Sequence, residues 1–108
     1  MKFDINEVVA GMVAAVKDNV KDDWPLVKST ANNYLVARKE RLELLASLRL
    51  SNEIADDFFQ KRLSDEKKIL ESELHSIAVI TKAIAERAAN AALDVLQSAI
   101  KAAAGTIL

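Results

Sequence analysis

Apolar residues recur every three or four positions along most of the chain, which is the spacing of one face of an α-helix. The pattern divides into four segments, which we predict as helices over residues 4–21, 25–49, 52–63 and 65–104. With 2 glycines and 1 proline in 108 residues, the chain has few turn residues for a β-sandwich or barrel. We therefore predict an all-α fold: a single domain over residues 1–108 that forms a small helical bundle of three to four helices, with one long C-terminal amphipathic helix.

The boundary between the first two predicted helices lies near Trp24. Asp4 is a typical N-cap residue for the first helix, and polar residues 21–23 close it. Pro25 fits the first turn of the second helix, where a backbone N–H is not needed. Because a residue before proline is biased toward an extended backbone, we expect Trp24 to lie between the helices.

A change of register separates the second helix from the third. If one helical wheel is continued past Leu50, Ile54 and Phe58 fall on the side opposite Leu42 and Leu45. One straight helix cannot bury both sets, so we predict a loop or sharp kink at residues 51–52. A weaker boundary of the same kind lies at residues 64–65, where the last two helices are either continuous, kinked or separate.

The predicted helix over residues 65–104 has a broad apolar side and would be about 60 Å long at 1.5 Å per residue. Its neighbours are too short to cover this side, and soluble monomers rarely expose large apolar patches. We therefore predict a homo-oligomer, a dimer or larger, in which these helices pair. The predicted interface is an apolar stripe, which consists of Leu74, Ile77, Thr81, Ile84, Ala88, Ala92, Val95 and Ala99.

Two arginines lie on the apolar side of the second helix. Arg38 falls between Tyr34, Leu35 and Leu42, and Arg49 follows on the same side. Each arginine stem could pack along the apolar surface with its charged head at the edge. The alternatives are that Arg38 and Arg49 each form a buried ion pair with an acidic side chain, within the chain or across an oligomer contact, or that they bind an anion.

The sequence contains little that indicates catalysis or metal binding. His75 is the only histidine, and Glu71 lies one turn before it, but both fall on a polar arc that is typical of a solvated surface. A di-iron carboxylate site requires Glu-x-x-His pairs, whereas Ser72 stands three residues before His75. We predict a protein that is not an enzyme and has no catalytic residues, no metal site and no cofactor.

Three classes of function remain open. The first is a non-enzymatic structural or interaction protein, a self-associating helical bundle that also docks a partner helix. The alternative is an amphipathic helical protein that binds a membrane or lipid surface. A ferritin-like metal-binding bundle has less support.

Charge and targeting features bear on the partner and on the location. The net charge of -1 argues against a nucleic-acid partner. The mixed signs on the polar arc of the last helix do not favour a membrane-surface partner, although they leave it open. The chain has no cysteine, and the apolar run near its start has acidic residues where a signal peptide is basic. We therefore expect a cytoplasmic location.

Overall fold

The computed structural model describes residues 3–76 and 80–105 of the chain. Within these ranges it contains helices and turns but no strand, which confirms the predicted all-α bundle. The four α-helices, in chain order, are α1 (Ile5–Val20), α2 (Trp24–Leu50), α3 (Asp56–His75) and α4 (Lys82–Ala104). Helix α1 packs against α2, α2 against α3, α3 against α4, and α4 against α1, so the helices form a ring around one core.

The core is aliphatic, and its most tightly packed seam joins α1 to α4. Met12 and Val16 of α1 are fully buried, as are Ala88, Ala92 and Leu96 of α4. Small side chains on α4 let the two helix backbones approach closely, because an alanine adds only one methyl group to the contact. The alanine-rich composition of α4 therefore serves packing inside the bundle.

The turn between α1 and α2 is tighter than the sequence suggests. A single 3-10 turn, Lys21–Asp23, joins the two helices, and Lys21 takes the change of direction with φ 53 and ψ -117. Trp24 was expected to be extended, but its φ of -52 and ψ of -43 are helical. The preference imposed by Pro25 is therefore overridden, since the chain must enter α2 directly from this short turn.

The predicted break at residues 51–52 is confirmed. Helix α2 ends at Leu50, and Asn52 has a positive φ of 63, a conformation that asparagine adopts more readily than most residues. Helix α3 begins only at Asp56, so the loop is longer than predicted. The loop reverses the chain and leaves α3 antiparallel to α2.

The predicted single helix over residues 65–104 is wrong. Helix α3 passes through Ser64 without a break and ends at His75, and a separate helix begins at Lys82. Thr81 caps the new helix, because its Oγ1 accepts a hydrogen bond from the Ile84 N–H at 3.2 Å. The apolar stripe continues in phase across the break because α3 and α4 both face the same core, so periodicity alone does not reveal the break.

None of the helices in the described ranges combines the length and the apolar character that a membrane crossing requires.

The close contact between α1 and α4 gives a first prediction. A Cβ atom added at Gly11 would lie 3.0 Å from Cγ1 of Val95, which is tighter than ordinary packing. We expect Gly11→Leu to lower the free energy of unfolding by about 1–3 kcal/mol through overpacking. Chemical denaturation measures this change. Ala10→Leu is the control, since Ala10 is exposed on the same helix, and it should change stability by less than about 0.5 kcal/mol. Equal effects of the two substitutions would contradict the close approach.

Candidate functional site

One acidic side chain lies inside the bundle. Glu66 of α3 is 3% exposed, and it is the only polar or charged residue that is buried among those described. It lies on the buried side of α3, between Leu63 and Leu70. Such a carboxylate is stable in the core only if hydrogen-bond donors replace the water that it has lost.

Three side chains of α2 supply those donors. The Tyr34 hydroxyl donates to Oε2 of Glu66 at 2.8 Å. Arg38 binds both carboxylate oxygens, through Nε to Oε2 at 2.9 Å and through Nη2 to Oε1 at 2.8 Å. Arg41 adds a bond from Nε to Oε1 at 3.0 Å. These four residues, Tyr34, Arg38, Arg41 and Glu66, are called the Glu66 cluster below.

The Glu66 and Tyr34 side chains of the Glu66 cluster have shifted pKa values. Burial raises the pKa of the Glu66 carboxyl group, but hydrogen bonds from Arg38 and Tyr34 outweigh this and lower it below the ordinary value. Burial and the hydrogen bond to Glu66 raise the pKa of the Tyr34 hydroxyl well above its ordinary value. The hydrogen bonds of the cluster join α2 to α3 around the buried carboxylate.

Two grooves lie between α2 and α3, one on each side of the Glu66 cluster. The first, called the Leu44–Phe58 groove, has a volume of about 290 Å³. Its lining is mainly apolar and consists of Arg41, Leu44, Leu45, Leu48, Phe58, Arg62 and Glu66. The second, called the Ile69 groove, has a volume of about 380 Å³ and is lined by Thr30, Asn33, Tyr34, Ala37, Arg38, Ile69 and Glu73.

The same two helices carry the exposed apolar side chains of the molecule. Among the described residues, five large apolar side chains are more than a third exposed, and all lie on α2 or α3: Leu26, Val36, Leu44, Phe58 and Ile69. Three of these five line the two grooves. We call this grooved surface the α2–α3 face.

The structure places the two arginines singled out from the sequence in different surroundings. Arg38 belongs to the Glu66 cluster, and its guanidinium also lies 5.8 Å from the centroid of the Tyr34 ring. Arg49 is at the end of α2, where its side chain is 12% exposed and its Nε lies 3.8 Å from Oδ1 of Asp56. It also donates to the Ile54 carbonyl at 3.4 Å, so it ties the α2–α3 loop together. The two residues therefore do not form one site.

The interface stripe predicted on the last helix is largely covered by the chain itself. Leu74, Ala88 and Ala92 are completely buried, while Ile84, Val95 and Ala99 are partly buried against the core. Thr81 is exposed as the cap of α4, and Ile77 lies outside the described residues. Self-association through this stripe is expected only if the stripe is exposed. Helices α1 and α3 cover it instead, so that argument no longer holds. Self-association by another surface stays a prediction.

The residues weighed for metal binding lie on α3. His75 is exposed at the end of that helix, and Glu71 is half-buried one turn earlier. Within the described residues, no three histidine, aspartate or glutamate side chains come close enough to hold a metal ion.

Sequence reasoning missed Glu66, although a signal was present. Phe59, Leu63, Leu70 and Leu74 form the buried stripe of α3, and Glu66 falls inside that stripe at the same three- and four-residue spacing. Glu66 occupies a core position of one helix, and Arg38 occupies a core position of another. Two opposite charges at core positions predict a buried ion pair. The false helix boundary at residues 64–65 placed Glu66 in a first turn, which concealed this match.

Comparisons of the chain with protein-family models, with curated proteins and with solved structures found no match.

A second prediction concerns the strength of the Glu66 cluster. Glu66→Gln removes the charge that Arg38 and Arg41 share, and we expect the free energy of unfolding to fall by about 2–4 kcal/mol. Glu71→Gln, on the same helix but outside the cluster, should change it by less than about 0.5 kcal/mol. Urea denaturation at neutral pH measures both. Equal stability of Glu66→Gln and the parent would show that the cluster is energetically unimportant.

A third prediction concerns pH. The pKa of Glu66 is lower in the folded chain than its ordinary value of 4.5, so the carboxylate stabilises the fold fully above that value. The stabilisation is lost as the pH falls from about 4.5 down through the lowered pKa. We therefore expect the stability difference between the parent and Glu66→Gln to shrink over this acidic range. A difference that stayed constant from neutral to acidic pH would contradict the assignment.

Proposed function

We propose that this chain is a non-enzymatic interaction protein that binds a helical segment of another chain on its α2–α3 face. One observation carries the proposal. The large apolar side chains that are more than a third exposed, among the described residues, all lie on the two helices that form this face. Three of these side chains, Leu44, Phe58 and Ile69, line the two grooves, and exposed apolar side chains grouped in this way are typical of a binding surface.

The dimensions of the α2–α3 face support a helical partner. Leu44 lines the first groove and Ala37 lines the second. They are seven residues apart on α2, which corresponds to about 10.5 Å along the helix axis. An amphipathic helix presents anchoring side chains at positions i and i+7 with the same separation. One partner helix lying along the face could therefore place an apolar side chain in the Leu44–Phe58 groove and a second side chain, seven residues away, in the mainly polar Ile69 groove.

The ionisable groups of the Glu66 cluster support a binding role over a catalytic one. The carboxylate already accepts hydrogen bonds from three side chains. Its pKa is lowered and that of Tyr34 is raised, which keeps both groups in one protonation state. A general acid or base requires a pKa near the working pH and access to substrate.

The other functions considered from the sequence have less support. Self-association remains compatible with the α2–α3 face, since a second copy could supply the partner helix. The membrane-surface hypothesis relied on a broad apolar side along residues 65–104, and much of that side is buried against the rest of the bundle. Flotation with liposomes of anionic phospholipid tests the lipid hypothesis directly, and we expect the protein to stay with the soluble fraction.

A fourth prediction tests the binding surface. An uncharged amphipathic peptide of Leu and Gln, with Leu at positions i, i+3, i+4 and i+7, should bind and shift amide resonances of α2 and α3. Leu44→Gln and Phe58→Gln together should abolish this binding, because they remove apolar walls of the groove. NMR titration with the ¹⁵N-labelled protein measures both effects.

The control for this experiment is Val36→Gln. Val36 is 70% exposed on α2, but it lines neither groove. This variant should bind the peptide as tightly as the parent. Absence of binding by the parent, or shifts confined to α1 and α4, would contradict the proposed function.

A further inference from the structure

We infer that the Leu44–Phe58 groove selects a partner helix that carries aspartate or glutamate beside its apolar anchor. This inference rests on the proposed function and adds the chemistry of the partner. The carboxylates would bind Arg41 and Arg62, which stand on the two helices that border the groove. The partner is another protein, and a second copy of this chain is the competing occupant.

Arg41 is held in place while much of its hydrogen-bonding capacity stays unused. Its Nε is fixed 3.0 Å from Oε1 of Glu66, yet the side chain is 60% exposed. Within the described residues, its terminal nitrogens donate no hydrogen bond to the protein. A guanidinium that is anchored at Nε loses little freedom when its terminal nitrogens bind a carboxylate, so the anchor favours binding.

Arg62 faces the same groove from α3. Its guanidinium lies 5.2 Å from the centroid of the Phe58 ring, which keeps it over the apolar surface. Its nearest acid is Asp65, at 3.7 Å, and the two side chains are 46% and 48% exposed. An ion pair that is this exposed contributes little free energy, so a partner carboxylate can replace it at small cost.

The balance of charge at the groove is positive. Glu66 is the only acidic residue in its lining, and its side chain is 4% exposed. This single carboxylate is shared by Arg38 and Arg41, so one positive charge of the cluster is not neutralised. The leucine and phenylalanine side chains border both guanidinium groups, so one partner helix can make apolar contacts and ion pairs in the same groove. An acidic helix therefore matches the groove in both polarity and charge.

The test compares three peptides that share one leucine pattern and carry Glu, Gln or Lys at the flanking positions. Fluorescence anisotropy measures each dissociation constant. We expect the Glu peptide to bind about tenfold more tightly than the Lys peptide, as two partly exposed ion pairs would give. The preference should decrease with added salt, because exposed charges are screened.

The variants assign the preference to the two arginines. Arg41→Gln with Arg62→Gln should remove the preference for the Glu peptide. Arg62→Gln alone should remove part of the preference for the Glu peptide. Because this variant leaves the Glu66 cluster intact, it shows the effect even if the double variant folds poorly. Lys82→Gln with Arg87→Gln is the control, since it changes the net charge equally on the exposed side of α4 and should retain the preference.

The outcomes separate the two levels of the proposal. Equal binding of the three peptides, with NMR shifts at the groove, would overturn the charge selection and leave the proposed function standing. No binding by any peptide would overturn both. Sedimentation of the protein alone tests the competing occupant: a dimer that dissociates in the Leu44→Gln and Phe58→Gln variant would show that a second copy fills the groove.

Discussion

The arrangement of α2 and α3 depends on one buried carboxylate. Glu66 lies at a core position of α3, and taking its charge out of water is costly unless several donors surround it. Tyr34, Arg38 and Arg41 supply those donors only when α2 runs antiparallel to α3 in a particular register. A shift by one helical turn would break the two hydrogen bonds by which Arg38 holds both carboxylate oxygens. An aliphatic contact alone tolerates more sliding, so the polar cluster specifies the register.

The same cluster lies between the two grooves of the α2–α3 face. Two arginines share one carboxylate, both remain partly exposed, and a groove lies on each side of the ion pair. The contact between α1 and α4 is different, because Gly11 and small side chains let these two helices approach closely. Helices α1 and α4 are therefore closely packed, while α2 and α3 are bordered by two grooves.

The position of α4 decides whether its apolar stripe is an interface between chains or part of the core. Ala88 and Ala92 suggest an intermolecular interface when residues 65–104 are taken as one long helix, since such a helix has too little of its own chain to cover them. Helix α4 is instead a separate helix that packs against α1, and the two alanines become core residues of a single chain. An interface proposal that depends on exposed area therefore requires the location of the turns as well as the periodicity.

The amino-acid sequence by itself determined the helical class, the cap at Asp4 and the break at residues 51–52, because these depend on spacing and local backbone preference. Only the tertiary structure decided where the last helix divides and which residues meet Glu66. The physical reason is that periodicity reports which side of each helix is apolar, and that side stays in phase when two consecutive helices face the same core. Contacts such as that between Arg38 and Glu66, 28 residues apart, depend on how the helices are arranged in space.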